Sequence, residues 1–471
     1  MSLISEFDRK ILDIFRDVAI KKSLTKKVGL TDRALPAFII DWLVARYMNE
    51  NETLNVKKIN TFIDKHLPDR TRKQIIFDRL VKGWLVKIID SYKVEVDLKK
   101  GEYKLQIPCL DISDGHLSAA IVEDNPKLLL GNVWGVGELQ YLLEEGKDGK
   151  VSMKEFKPME SVTIDLDYFM KARPKFTLQE WMDLMLKTMG YNPNFYPEQQ
   201  RLWMIARLAP FVHPRINLIE LAPKGTGKST VFSKLSRYCW LISGGIVTRA
   251  QLFYNMAEKR TGIIAYYDTI VLDEVQTIRF QKPEEIIGAL KGYLASGEFK
   301  VMGYQGTSES GFVLLANIPI EADGIPRDKD LFQTLPQFVR ETAFLDRFHG
   351  FLPGWELPKI KKGTLEYEGY ALRADYFGEI LHQLRRQNEH LEFVKRHTAF
   401  PPEAYIRDVR AIESFAAALL KLLFPDLNLD LELFDQYCLR PAFLLREKIK
   451  QQLNLADPEY SPEIDKYELI S

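Results

Sequence analysis

One stretch of fifteen residues constrains the fold of this chain more than any other. Residues 216–230 read Ile-Asn-Leu-Ile-Glu-Leu-Ala-Pro-Lys-Gly-Thr-Gly-Lys-Ser-Thr, an apolar strand followed by a glycine-rich loop and the start of a helix. Glycines in such a loop let backbone N–H groups turn towards an anion, and its lysine reaches the β and γ phosphates of a nucleotide. The sequence therefore predicts a phosphate-binding loop between a buried strand and a helix.

The loop departs from the usual glycine pattern at its first position, where Ala222 replaces glycine. Alanine is the smallest side chain, so the assignment is kept, and the alternative is a glycine turn with a solvated lysine. Ser229 is expected to hold Mg²⁺ at the start of the helix. The residues predicted to contact the nucleotide are Pro223, Lys224, Gly225, Thr226, Gly227, Lys228, Ser229 and Thr230.

Composition excludes several classes of protein. No apolar run approaches the roughly 18 residues of a membrane span, since the best candidate, 415–424, is short and contains Lys421. The N-terminus lacks a basic segment followed by an apolar one, so no export signal is indicated and a cytoplasmic location without membrane contact is expected. Three widely spaced cysteines predict neither a disulfide framework nor a zinc site.

Positive charge is concentrated at the N-terminus of a chain that is neutral overall. Residues 1–100 contain 21 Lys or Arg against 14 Asp or Glu, a net charge of +7. The order of elements in 1–108, helices followed by a β-hairpin at 92–107, is that of a winged helix, which suggests a polyanion partner. The candidate DNA contacts there are Arg70, Arg72, Lys73, Lys99 and Lys100. The alternative is an ordinary solvated face of a small helical domain.

The rest of the chain is predicted to form three further regions. Residues 109–173 form a small β subdomain, 174–365 an α/β ATPase core that contains the phosphate-binding loop, and 366–471 a C-terminal helical lid. A capping box, Thr177 with Glu180, predicts a helix near the start of the core.

Two strands downstream of the loop end in polar residues. Thr269-Ile-Val-Leu-Asp-Glu ends in Asp273 and Glu274, where the first is placed to hold Mg²⁺ through water and the second to polarise the attacking water. Gly-Phe-Val-Leu-Leu-Ala-Asn ends in Asn317, a candidate to position that water. The alternative for Asn317 is a turn residue at a strand end.

Three arginines complete the predicted site. Arg347, in Ala-Phe-Leu-Asp-Arg-Phe-His, is hard to explain by packing within one subunit, and in ring ATPases an arginine in this setting reaches the neighbour's nucleotide. Its alternative is a salt bridge with Asp346. Arg407 and Arg410, at the start of a C-terminal helix, are expected to reach the γ-phosphate from within their own subunit, and Arg407 is preferred. Either is alternatively a helix-face charge.

The ordered set Lys228, Asp273-Glu274, Asn317, Arg347 and Arg407 resembles that of an AAA+ ATPase, and the segment around Arg347 looks like those of Lon ATPases and MCM helicases. Three longer runs, at 221–229, 241–255 and 342–359, resemble the BrxL family, Lon-like proteins of BREX phage-defence systems. This resemblance implies ATP and Mg²⁺ as ligands, and a ring of six subunits or a stacked pair of such rings. It also implies double-stranded DNA and other BREX proteins as partners.

The resemblance leaves the activity open in two respects. Many members of the family continue into a Lon-protease-like domain, whereas fewer than twenty residues follow the last predicted helix here, so no peptidase activity is expected. By similarity to MCM proteins, 299–311 is expected to be a hairpin pointing into the ring with Lys300 on phosphate, or a surface hairpin without ligand. The alternatives to a DNA motor are an unfoldase that grips polypeptide through Phe299 or Tyr304, and a nucleotide-gated scaffold.

Overall fold

The computed structural model describes residues 4–27, 35–49, 53–68, 70–129, 132–143, 148–159, 164–257, 259–301, 303–365 and 369–470. The chain divides into two compact units, one formed by Ile20–Thr163 and one that joins Met1–Ala19 to Ile164–Ser471. We refer to them as the barrel unit and the sheet unit.

The helices are mostly short, and polar caps or prolines start many of them. The capping box at Thr177 and Glu180 is present in both directions, which confirms the helix predicted there. In chain order the helices are α1 (Glu6–Phe15), α2 (Lys22–Lys27), α3 (Ala37–Tyr47), α4 (Val56–His66), α5 (Lys73–Val81), α6 (Ala119–Asp124), α7 (Leu166–Ala172), α8 (Leu178–Thr188), α9 (Glu198–Ala206), α10 (Ala209–Val212), α11 (Lys228–Lys234), α12 (Arg249–Leu252), α13 (Pro283–Ser296), α14 (Thr342–Leu345), α15 (Lys362–Leu365), α16 (Ala374–Leu384), α17 (Glu389–His397), α18 (Ile406–Leu423), α19 (Leu431–Phe434) and α20 (Arg440–Ala456).

The strands of the two units differ in character. Those of the barrel unit alternate in part between buried and less buried residues, whereas the central ones of the sheet unit are almost continuously buried. In chain order they are β1 (Ala19–Lys21), β2 (Val86–Asp97), β3 (Glu102–Ile107), β4 (Ile112–Leu117), β5 (Val133–Leu142), β6 (Lys150–Pro158), β7 (Leu218–Ala222), β8 (Cys239–Val247), β9 (Tyr254–Asn255), β10 (Arg260–Thr261), β11 (Thr269–Phe280), β12 (Glu298–Val301), β13 (Tyr304–Thr307), β14 (Gly311–Asn317), β15 (Gly350–Pro353), β16 (Tyr370–Leu372), β17 (Thr398–Ala399) and β18 (Glu468–Leu469).

The barrel unit is built on a closed five-stranded barrel in the order β2-β3-β4-β6-β5. Its pairs are antiparallel except β4 with β6, which run parallel. Gly137 in β5 leaves room for the buried ring of Tyr92, because an added Cβ would lie 2.6 Å from the tyrosine hydroxyl oxygen. A closed Greek-key barrel of five strands is the OB-type architecture, a fold that often binds oligonucleotides.

The β-hairpin predicted as the wing of a winged helix is part of the barrel instead. The hairpin predicted at 92–107 exists as β2 and β3, but both strands belong to the closed barrel, whose other strands lie in the region predicted as a separate β subdomain. The predicted division at 108/109 therefore falls inside one hydrophobic core, which includes Tyr92 and Leu105 on one side and Val133 and Phe156 on the other. Pairing between strands distant in sequence, which local patterns do not reveal, decides this outcome.

The sheet unit contains a five-stranded, wholly parallel sheet in the order β15-β7-β14-β11-β8. The strand that precedes the predicted phosphate-binding loop, β7, lies near the centre of this sheet, and all five of its residues are buried. Helices α18 and α20 pack on each other, and α20 also packs along β15. The C-terminal region is largely helical, as predicted, whereas its role as a lid over a nucleotide stays a prediction.

Among the residues that the structure describes, no helix combines the length and the apolar character that crossing a membrane requires.

Candidate active site

The glycine-rich loop connects β7 to α11, as the sequence predicts. Both of its glycines have left-handed backbone conformations, with φ of 87° at Gly225 and 75° at Gly227. A Cβ at position 227 would lie 2.5 Å from Cδ1 of Ile360 and 2.6 Å from the hydroxyl oxygen of Tyr191. Both the backbone conformation and the neighbouring side chains therefore favour glycine at position 227.

The alanine at the first position of the loop is explained by the residue that faces it. Ala222 is fully buried and lies next to a glycine, Gly354, just after β15. A Cβ at Gly354 would lie 2.5 Å from the Cβ of Ala222, closer than two such carbons approach. The missing side chain at 354 thus makes the room that a glycine at 222 usually provides.

The loop lysine contacts the predicted water-positioning residue directly. Nζ of Lys228 donates a hydrogen bond of 2.6 Å to Oδ1 of Asn317, which ends β14 next to Ala222 in the sheet. Burial lowers the pKa of Lys228, and the carboxylates of Glu220 and Asp273 partly offset this effect. The two strand ends therefore place an ammonium group and an amide side by side.

The acidic pair ends the buried part of β11 at the same edge of the sheet. Asp273 is buried, and its Oδ1 accepts a hydrogen bond of 2.9 Å from the backbone N–H of Glu274. Glu274 is exposed and has a positive φ of 47°, a strained conformation for a residue other than glycine. Thr277 stabilises this turn by donating to the carbonyl of Glu274 at 2.9 Å.

These groups suit Mg²⁺ and a nucleotide chemically. The loop offers backbone N–H groups and an ammonium, and Asp273 offers a buried carboxylate; Ser229, half-buried at the start of α11, adds a hydroxyl. Oxygen donors of this kind are those that Mg²⁺ prefers, usually together with phosphate oxygens and water.

Arg347 lies at the opposite edge of the sheet. It precedes β15, whose first residue, Gly350, pairs with Leu218 at the beginning of β7. Nδ2 of Asn217 donates to the carbonyl of Arg347 at 3.2 Å, which holds the arginine backbone at that edge. The five residues of β7 separate the two edges by about 16 Å at 3.3 Å per residue.

Arg407 lies beside Arg347 and not beside the phosphate-binding loop. Its Nη1 forms an ion pair with Oδ2 of Asp346, the residue before Arg347. The expectation that Arg407 reaches the γ-phosphate of its own subunit is therefore not met in this conformation, because its guanidinium is paired with Asp346. Arg410 is exposed one turn further along α18.

A buried arginine anchors this second edge. Arg446 is fully buried and donates to Oδ1 of Asp346 at 2.6 Å and to Oδ1 of Asp408 at 2.7 Å. Burial and the neighbouring Arg407 lower the pKa of Arg347, whose Nη1 donates to the carbonyl of Ala343. The Nε of Arg347 is buried without a hydrogen-bond partner within the described part of the chain.

Four of the candidate DNA contacts are exposed cations. Lys300 is exposed on the β12–β13 hairpin, which confirms the hairpin itself. In the barrel unit Lys99 and Lys100 are exposed in the turn between β2 and β3, and Arg72 is exposed before α5. Lys73 pairs with Asp111 at 2.8 Å. The side chain of Arg70 lies outside the described residues.

Sequence reasoning missed three residues behind the loop. Arg207 and Glu220 form a fully buried ion pair, with Nε to Oε2 at 3.0 Å and Nη2 to Oε1 at 2.6 Å. The hydroxyl of Tyr191 donates to the carbonyl of Gly227 at 3.1 Å. An acidic residue inside the otherwise apolar β7 was the available signal, because a buried carboxylate requires a partner.

Comparisons with known proteins match the chain to two family models, with a boundary between residues 141 and 151 that falls inside the barrel unit. Residues 151–465 match the family model described as "Lon-like protease BrxL-like, ATPase domain", and residues 13–141 match "BREX system Lon protease-like protein BrxL N-terminal". The chain is 31% identical over 457 residues to "Lon-like protease BrxL" of Escherichia coli O9:H4 (strain HS). It is 29% identical over 451 residues to the protein of the same name from Bacillus cereus (strain H3081.97). These alignments cover 95% and 93% of this chain, which spans 65% of the length of each relative.

Proposed function

This chain belongs to the BrxL family, and on that premise we propose that it is an ATP-hydrolysing ring protein that acts on double-stranded DNA in BREX-type anti-phage defence. The observation that carries the proposal is the division of the site between the two edges of the sheet. One edge holds the loop, Asp273, Glu274 and Asn317, and the other holds Arg347.

At the loop edge, each side chain has a role in hydrolysis. Lys228 contacts the β and γ phosphates, and Glu274 polarises the attacking water that Asn317 positions. Mg²⁺, held by Ser229 and through water by Asp273, would neutralise charge on the phosphate oxygens. The bond between Lys228 and Asn317 keeps both groups at the edge where the γ-phosphate would enter.

The distance between the edges supports action across a subunit interface. An extended arginine side chain is shorter than the roughly 16 Å that β7 spans, so Arg347 does not reach its own loop. We therefore assign it to the nucleotide of a neighbouring copy, in a ring of six subunits or a stacked pair of rings. Arg407, on the same edge, is reassigned to the same neighbour.

The ATP-binding part is tested by Lys228→Ala. Loss of the charged contact to the phosphates should weaken ATP binding by about two orders of magnitude, equivalent to about 3 kcal/mol. Lys395→Ala, an exposed lysine on α17, is the matched control and should bind ATP normally. Equal ATP affinity in both variants, measured by fluorescent nucleotide titration, would refute the assignment of the loop.

DNA binding is proposed for the β12–β13 hairpin and for the barrel unit. Lys300, Lys99 and Lys100 are exposed lysines next to tight turns, and OB-type barrels commonly bind nucleic acid. Affinity for duplex DNA should fall steeply as salt rises, with a log–log slope of about −0.9 for each phosphate contact.

The DNA contacts are tested by comparing two lysine pairs of the barrel unit. Lys99→Ala with Lys100→Ala should make the salt slope shallower by about two. Lys57→Ala with Lys58→Ala, which removes two exposed lysines from α4, should leave the slope unchanged. Duplex binding that does not depend on salt, measured by fluorescence anisotropy, would exclude the DNA proposal.

The structure gives less support to an unfoldase. Phe299 is 2% exposed, and Tyr304 stacks on Tyr254 with ring centroids 3.9 Å apart, so neither ring stands free to grip a polypeptide. Stimulation of ATP hydrolysis by duplex DNA favours the DNA proposal. Stimulation by unfolded protein instead would favour the unfoldase, and no stimulation by either would favour a nucleotide-gated scaffold.

A further inference from the structure

Three consecutive carbonyl groups of the glycine-rich loop are each held from behind by a different group of the chain. The backbone N–H of Ile360 donates to the carbonyl of Gly225 at 2.7 Å. The guanidinium of Arg207 lies 3.4 and 3.5 Å from the carbonyl oxygen of Thr226. The hydroxyl of Tyr191 donates at 3.1 Å to the carbonyl of Gly227, which also accepts the N–H of Thr230 at 3.2 Å.

Holding these carbonyls also fixes the direction of the next N–H groups. In a trans peptide the carbonyl of one residue and the N–H of the following residue point in opposite directions. Carbonyls of residues 225–227 that face backwards therefore turn the N–H groups of 226–228 towards the front of the loop. A concave row of N–H groups of this kind binds anions without reorganising when the anion arrives.

The donors behind the loop are themselves fixed. Tyr191 and Arg207 are buried, and Glu220 orients the guanidinium by accepting two hydrogen bonds from it. Burial raises the pKa of Tyr191 to about 12, so the hydroxyl keeps its proton at neutral pH. Because Arg207 and Glu220 neutralise each other, the pair supplies a donor to the loop while adding no net charge beneath the phosphates.

We propose that Tyr191 and Arg207, with Glu220 as the partner that orients Arg207, are positioning residues that preorganise the loop for nucleotide phosphates. The inference rests on the proposed nucleotide binding at this loop. If these residues preorganise the loop, the affinity for the phosphates of a nucleotide depends on them, whereas the affinity for its nucleoside does not.

Tyr191→Phe removes the hydroxyl and keeps the buried ring. ADP affinity should fall about threefold to tenfold, the effect of one lost hydrogen bond, while adenosine affinity should stay unchanged. The matched control is Tyr196→Phe, which removes the hydroxyl of the neighbouring buried ring, 6.0 Å away between centroids. Among the described residues that hydroxyl has no hydrogen bond to the loop, so the control should bind both ligands normally.

A second variant tests Arg207 without stranding a buried carboxylate. Arg207→Met alone would leave Glu220 unpaired and endanger folding, whereas replacing a whole buried ion pair by apolar residues is commonly tolerated. Arg207→Met with Glu220→Leu should therefore keep its thermal transition. It should bind ADP about tenfold more weakly and bind adenosine normally.

Competition of ADP and of adenosine against a fluorescent ADP, with the unmodified chain alongside, decides the inference. A lower ratio of ADP affinity to adenosine affinity in both variants supports it. An unchanged ratio in either variant, including an equal loss for both ligands, overturns it and leaves the proposed function intact. If the unmodified chain binds no nucleotide, the proposed function falls together with this inference.

Discussion

Charged groups are arranged differently at the two edges of the parallel sheet. At the loop edge, Lys228 faces the front while the loop behind it is held by hydrogen bonds that carry no net charge. At the other edge, which holds Arg347, Arg446 pairs with the carboxylates of Asp346 and Asp408, and Arg407 pairs with Asp346. The second edge also contains a buried donor, Nε of Arg347, that has no hydrogen-bond partner within the described residues. This contrast is what the proposal requires, in which one edge binds the nucleotide and the other acts on a neighbouring subunit.

The largest test of this contrast is Arg347→Ala. If the side chain neutralises charge in a neighbour's transition state, kcat should fall by about 10³-fold or more, with ATP affinity preserved. ATP hydrolysis by the assembled protein is the measurement.

A mixing experiment provides the control for that result. A subunit carrying Arg347→Ala still has an intact loop, and one carrying Lys228→Ala still has an intact arginine edge. Mixing the two should restore part of the activity, because some interfaces then combine both intact halves. Failure to recover any activity would leave the shared site without support.

Glu274→Gln tests the edge that holds the glycine-rich loop through its effect on kcat. The amide keeps the shape of the side chain and loses the ability to polarise water, so kcat should fall by about 10²-fold to 10⁴-fold while ATP still binds. Glu284→Gln, an exposed residue in the first turn of α13, is the matched control. Hydrolysis at the unmodified rate would remove Glu274 from the mechanism.

Arg446→Met separates folding from catalysis at the arginine edge. Because Asp346 and Asp408 would lose their buried partner, the free energy of unfolding should fall by about 3 to 5 kcal/mol. Arg440→Met, on the same helix, removes a mostly exposed arginine and leaves Asp435 with its hydrogen bond from Tyr467, so it should cost about 1 kcal/mol or less. Denaturant unfolding of both variants measures the difference, and similar losses would mean that burial does not set the strength of these pairs.

The smallest expected effect is a pH dependence at His349. Burial and the nearby Arg446 lower its pKa to about 3, and its Nδ1 accepts the N–H of Asn217 at 3.1 Å. Between about pH 3 and 6.5 the unfolded state binds the extra proton, so stability falls as pH falls through this range and is constant above it. At pH 5.5 the histidine should contribute about 1 kcal/mol of destabilisation relative to neutral pH.

His349→Gln should remove this part of the pH dependence, since glutamine does not titrate. Denaturant unfolding at pH 5.5 and 7.5 gives the change in the free energy of unfolding between the two pH values. The same change in the variant and in the unmodified protein would show that His349 does not contribute.

The sequence predicts the loop edge better than the arginine edge, for a physical reason. Asp273 and Asn317 end apolar strands, and in a parallel sheet such ends meet at one edge whatever the rest of the chain does. Arg407 lies on a helix whose direction is set by packing against α20, which no local pattern encodes. The barrel was missed for the same kind of reason, because β4 pairs with β6 across an intervening strand.

The sequence predicts the role of Glu220 only in part. Its position inside the apolar β7 marks it as a buried charge that needs a partner, but the partner, Arg207, lies on the segment before the strand and is identified only in three dimensions.

The two oxygens of the Asp346 carboxylate bind arginines that differ in exposure. One oxygen is bound by the buried Arg446, and the other by Arg407, whose side chain is about half exposed. If Arg407 turned towards a neighbouring phosphate, Asp346 would still be neutralised, so the exchange would strand no buried charge. In the proposed ring, Arg407 would therefore leave Asp346 for a neighbouring subunit at little cost to the fold of its own subunit.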